Sequence, residues 1–157
     1  MTLVTEHSVQ TGGHRTFYLA AGPEEGPPVI FIHGWPELSL SWRHQLECLG
    51  NLGFRAIAPD MRGYGRSSVY DRHEDYALQH IVGDMVGLAD ALGVEKAVWV
   101  GHDWGAPAVW SFASHHPERC HAVANLCVPY GGLEKGVMAC LDLVDRETYP
   151  EEEFPWG

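Results

Sequence analysis

The segment Ala97-Val98-Trp99-Val100-Gly101-His102-Asp103-Trp104-Gly105-Ala106-Pro107 constrains this chain more than any other. A buried-strand run enters a Gly-x-Asp-x-Gly turn, and a helix start leaves it. Glycines two residues to either side of the central position let strand and helix approach closely, so the turn can be sharp and its central residue strained and exposed. That residue is Asp103. A serine at such a place needs a histidine to take its proton, whereas a carboxylate is already ionised near neutral pH. Asp103 can therefore displace a leaving group from saturated carbon. The product is an alkyl ester, which water must then hydrolyse through a tetrahedral oxyanion.

An oxyanion needs aimed N–H donors. The backbone of Trp104, the residue after the turn's aspartate, supplies one. The second is expected from Trp35, in the loop His33-Gly34-Trp35-Pro36-Glu37 that follows the apolar run Val29-Ile30-Phe31-Ile32. The Trp35 and Trp104 side chains are each large enough to wall an apolar pocket, with core packing the plain alternative. Substrate contact is expected at Trp35, Pro36, Trp104 and Tyr130, the last lying at a strand end near the mouth of the site.

Around these motifs the chain alternates between two periods. Thr5 to Gly22 is predicted to form two antiparallel strands about the turn Thr11-Gly12-Gly13-His14. Val29–Ile32, Phe54–Pro59, Ala97–Val100 and Ala122–Val128 read as buried strands. Leu40–Leu52, the stripe Ile81, Met85, Leu88, Leu92, and Pro107–His116 read as helices. Strand, helix, strand, helix implies a mostly parallel sheet wrapped by helices, the α/β class. After Pro129-Tyr130-Gly131-Gly132 the pattern changes to one short stripe, Val137, Cys140, Leu141 and Val144, and an acidic, Pro-punctuated end.

Charge and composition exclude several functions. A net charge of −11 opposes binding to nucleic acid or to anionic lipid, and no cluster of Lys and Arg makes a local exception. A small, uncharged, apolar substrate fits better. The four cysteines lack any Cys-x-x-Cys pair and follow no secretory segment, which points to reduced thiols and a cytoplasmic location. No apolar run is long enough to span a bilayer. The pair His115-His116 stands in no His-Glu-x-x-His arrangement, and Gly63-Tyr64-Gly65 opens no helix, so neither a metal nor a dinucleotide cofactor is expected.

Three motifs in order, His33-Gly34-Trp35-Pro36-Glu37, Asp60-x-Arg62-Gly63-x-Gly65-x-Ser67 and Gly101-His102-Asp103-Trp104-Gly105-Ala106, resemble the soluble epoxide hydrolases of the α/β-hydrolase superfamily. The resemblance runs from about Pro28 to Tyr130. It implies an α/β-hydrolase fold in which Asp103 opens the epoxide while the Trp35 and Trp104 N–H groups hold the ester oxyanion. It also implies a later acid and histidine that activate water, and two cap tyrosines that donate to the epoxide oxygen. On this reading residues 1–132 are the N-terminal part of the hydrolase core and 133–157 the start of a cap insertion. The later strands, the acid, the histidine and most of the cap are expected beyond Gly157, and the isolated chain is expected not to turn over.

Two other readings compete. A haloalkane dehalogenase uses the same aspartate, but usually presents Asn where this chain has Trp35. A non-catalytic fragment, or one completed by a second polypeptide, is the alternative from outside enzymology. His102 is expected to face packing rather than serve as base, and His33 to hold its loop. Asp60, Arg62 and Arg66 are expected to stabilise theirs. Tyr149 precedes the place where a cap tyrosine would stand and reads as a packing residue.

Overall fold

The computed structural model describes residues 2–130. Six strands form one sheet: β1 (Thr5–Thr11), β2 (His14–Ala21), β3 (Pro28–Ile32), β4 (Arg55–Pro59), β5 (Ala97–His102) and β6 (Cys120–Leu126), in the order β1-β2-β4-β3-β5-β6. The β1–β2 hairpin joins antiparallel to β4, while β4, β3, β5 and β6 run parallel. Helices α1 (Arg43–Asn51), α2 (Leu78–Ala91) and α3 (Gly105–His115) make the connections.

The unbroken apolar runs of β3 and β4 follow from cover on both faces. Ile30, Ile32 and Ile57 point to one side, where Val82, Met85 and Leu88 of α2 and Val109 and Phe112 of α3 pack with Trp99. Val29, Phe31, Ala56 and Ala58 point to the other, against Trp42 and Leu46. This is the mostly parallel α/β sheet that the alternating pattern predicts.

Two expectations need correction. The Leu40–Leu52 stripe is not one helix: a 3-10 turn, Ser39–Trp42, precedes α1, and of the stripe only Trp42 and Leu46 are buried. Leu40 and Leu52 face solvent because α1 lies over the sheet for little more than two turns. The strand predicted at Ala122–Val128 is β6, but it is not a buried strand. It pairs with β5 on one side alone among the described residues, and most of its side chains are exposed. Apolar content cannot tell an edge from a centre. The cap expected at 133–157, with Tyr149 and Cys140, lies outside the described residues.

After β3 the chain moves to β4 on one side, and then to β5 on the other side of β3. The carboxyl ends of β3 and β5 thus flank the point where the winding reverses, the place where open α/β sheets form their crevice. The His33–Glu37 loop and the Asp103 turn leave from those two ends.

Candidate active site

Asp103 sits between the last residue of β5 and the first of α3, with a φ of 51°. A non-glycine residue in this left-handed region is held there by its surroundings. The Asp103 N–H donates to the Leu126 carbonyl at the end of β6 (3.3 Å), and the Ala106 N–H donates to the Asp103 carbonyl (3.0 Å). The flanking glycines are required by contact. A methyl on Gly101 would lie 2.6 Å from the Gly105 carbonyl oxygen, and one on Gly105 would lie 2.7 Å from that of His33. Both neighbours are backbone and cannot yield. Gly34 makes the third close approach, since a methyl there would meet Asp103 Oδ1 at 2.6 Å.

The Trp35 N–H donates to Asp103 Oδ1 at 2.9 Å, and the Trp35–Pro36 peptide is cis. Asp103 is held below the usual carboxylate range. The Trp35 N–H is the main cause, the Trp104 N–H and His102 add smaller shares, and partial burial opposes them. A carboxylate with a lowered pKa is ionised across the physiological range. Trp35 and Trp104 are 66% and 55% exposed among the described residues, so neither side chain fills the described core. Tyr130 is exposed, and its ring packs edge-on against Trp110 (5.2 Å between ring centroids).

Two histidines of the motifs, His102 and His33, are engaged by neighbours other than the Asp103 carboxylate. His102 Nδ1 faces Glu37 Oε2 at 3.3 Å, and its ring lies edge-on to Trp42. His33 is fully buried: its Nε2 accepts from the Met61 N–H (3.0 Å), and its Nδ1 lies 2.8 Å from the Gly34 carbonyl oxygen. Burial lowers its pKa despite the Gly34 contact, so it is neutral. The second motif is a scaffold for this loop pair. Asp60 accepts from the Ser39 and Arg66 N–H groups, and Arg62 makes a two-pronged bond with Asp84 of α2 (2.6 and 2.7 Å). Among the described residues no cluster of His, Cys, Asp and Glu could hold a metal.

Sequence reasoning missed Tyr64. Its ring stands edge-on to His33 (4.9 Å), and its phenol pKa is raised by burial and by the negative charge of Asp103. The signal was present, since Tyr64 lies in the glycine-rich loop directly after β4, beside the crevice.

Residues 27–153 match the family described as alpha/beta hydrolase fold. The chain belongs to that family. It is 48% identical over 122 residues to epoxide hydrolase B of Mycobacterium tuberculosis, covering 76% of this chain and 34% of that protein. It is 46% identical over 151 residues to an epoxide hydrolase of Caballeronia sordidicola, covering 96% of this chain and 44% of the relative. Among solved structures, epoxide hydrolase A of Mycobacterium thermoresistibile superposes with a TM-score of 0.82 at 43% identity, over 90% of this chain and 45% of that one. An epoxide hydrolase of Vigna radiata gives 0.79 at 38% identity, over 88% and 46%. The resemblance drawn from the three motifs is thereby borne out. The chain spans about a third to under a half of the length of the relatives it matches. Among the described residues, no helix of this α/β-hydrolase chain is long and apolar enough to cross a membrane.

Proposed function

We propose that this chain carries the nucleophile half of an epoxide hydrolase. The observation behind the reading is the 2.9 Å bond from the Trp35 N–H to Asp103 Oδ1, on an ionised aspartate at the crevice of an α/β-hydrolase sheet. Oδ1 is held by that bond, and Oδ2 is taken as the attacking oxygen. It attacks an epoxide carbon, the C–O bond of the ring breaks, and its electron pair leaves on the ring oxygen, which then takes a proton. Water next attacks the ester carbonyl carbon, and negative charge collects on Oδ1. The Trp35 N–H is already at that atom, so its contribution needs no reorganisation at the moment of reaction. Collapse releases the diol and restores Asp103.

The exposed indoles of Trp35 and Trp104 favour a small, uncharged, apolar epoxide, consistent with a net charge of −11 that gives anions no attraction. The hydrolytic step needs a base, and the ring-opening step a proton donor. Among the described residues His102 and His33 are committed to Glu37 and to the loop backbone. Neither histidine is available as that base, so residues 1–157 alone are expected to react once at most.

The test is mass spectrometry of the protein after incubation with an aryl or alkyl epoxide. A covalent adduct of one epoxide mass on the peptide carrying Asp103, absent in Asp103→Asn, is the expected result. An unmodified Asp103 together with diol production would refute the reading.

A further inference from the structure

We infer that His33 is a positioning residue: it sets the plane of the Gly34–Trp35 peptide so that the Trp35 N–H meets Asp103. A backbone N–H can only donate, so the Met61 bond makes His33 Nε2 an acceptor and, in the neutral ring, places the proton on Nδ1. That proton points at the Gly34 carbonyl, 2.8 Å away. In a trans peptide the C=O and the following N–H point in opposite directions. Fixing the Gly34 oxygen on the His33 side therefore turns the Trp35 N–H to the other side, where Asp103 Oδ1 lies at 2.9 Å.

The Glu37 N–H also donates to the Gly34 oxygen (3.0 Å), so the carbonyl is held by two donors, of which His33 provides the side-chain one. His33 is itself locked. Met61 anchors it to the loop after β4, Tyr64 stands on its ring, and no part of it reaches solvent. Asp60 and Glu37 are the charged groups whose fields it feels, and both favour its protonated form, against burial. Protonation would put a hydrogen on Nε2 facing the Met61 N–H and break that anchor, while the Nδ1–H donor to Gly34 would remain. The catalytic consequence rests on reading Asp103 as the nucleophile; the geometric claim does not.

The experiment compares His33→Asn, His33→Phe and His14→Gln in the full protein that carries this chain, reading the Asp103 carboxyl titration by carbon NMR. Asn keeps a donor in the place of Nδ1, Phe keeps only the shape, and His14 is a buried histidine outside the loop. The Phe variant is expected to raise the Asp103 pKa by about one unit, the size of a weakened bond to a carboxylate. The Asn and His14→Gln variants are expected to leave it within a few tenths of the wild type. Equal shifts in the Phe and Asn variants, or none in Phe, would overturn the inference. Should the Phe variant not fold, nitrogen NMR of wild-type His33 decides: a proton on Nδ1 supports the clamp, and one on Nε2 overturns it. Absence of an epoxide adduct on wild-type Asp103 would instead count against the proposed function and leave the titration comparison intact.

Discussion

Gly34→Ala isolates the contact on which the site depends. The added methyl would stand 2.6 Å from Asp103 Oδ1, against an ordinary carbon contact of about 3.5–4.0 Å. The carboxyl group must retreat by roughly 1 Å. Starting from 2.9 Å, Oδ1 then passes beyond hydrogen-bond range of the Trp35 N–H. A hydrogen bond to a charged acceptor contributes about 1.5–3 kcal/mol, so the Asp103 pKa should rise by about one to two units, less what solvent restores. The steric cost to the fold is about 1–3 kcal/mol. Titration of the Asp103 carboxyl reads the first quantity and urea unfolding the second. Gly83→Ala serves as the control, since a methyl on that exposed position of α2 meets nothing within 4 Å and should stabilise by about 0.5–1 kcal/mol. An unshifted Asp103 in Gly34→Ala, with the fold intact, would refute the reasoning.

Asp84→Ala strands the buried guanidinium of Arg62, whose charge Asp84 sustains against burial, and should cost about 3–5 kcal/mol in denaturant unfolding. His14 and His33 both have pKa values lowered mainly by burial, so the unfolded chain takes up protons that the folded one refuses. Stability should be full above about pH 6.5 and fall as pH drops below it, and His14→Gln should flatten part of that fall. A melting temperature flat from pH 7 to 5 in the wild type would contradict this. Trp35→Ala keeps the N–H, so it should weaken substrate binding while leaving the ester hydrolysis rate within a few-fold; a selective loss of the hydrolysis rate would assign the indole a chemical role.

Much of the site was legible because it is written in short-range constraints. The glycines around Asp103 and the His33–Glu37 loop each encode a local geometry, and the structure places both where the motifs imply. The strand runs of β3 to β5 were legible for the same reason, since cover on both faces leaves a continuous apolar run. What could not be read depends on distant partners. Arg62 was assigned to loop stabilisation, yet its carboxylate comes from α2, and no local spacing announces Asp84. The exposure of β6 depends on what lies beside it, which its own residues do not encode. The tautomer of His33 was hidden because it is fixed by Met61, across two loops. Tyr64 stands between two glycines whose spacing resembles part of a dinucleotide pattern, and only the fold reveals its place against His33.

The most direct measurement is a single turnover of the full protein on an epoxide in water enriched in oxygen-18. If Asp103 is alkylated and its ester is then hydrolysed at the carbonyl, the first diol carries no label from the solvent and one labelled oxygen remains in the Asp103 carboxylate. Label in the first diol with Asp103 unlabelled would show that water opens the ring directly, and would contradict the account.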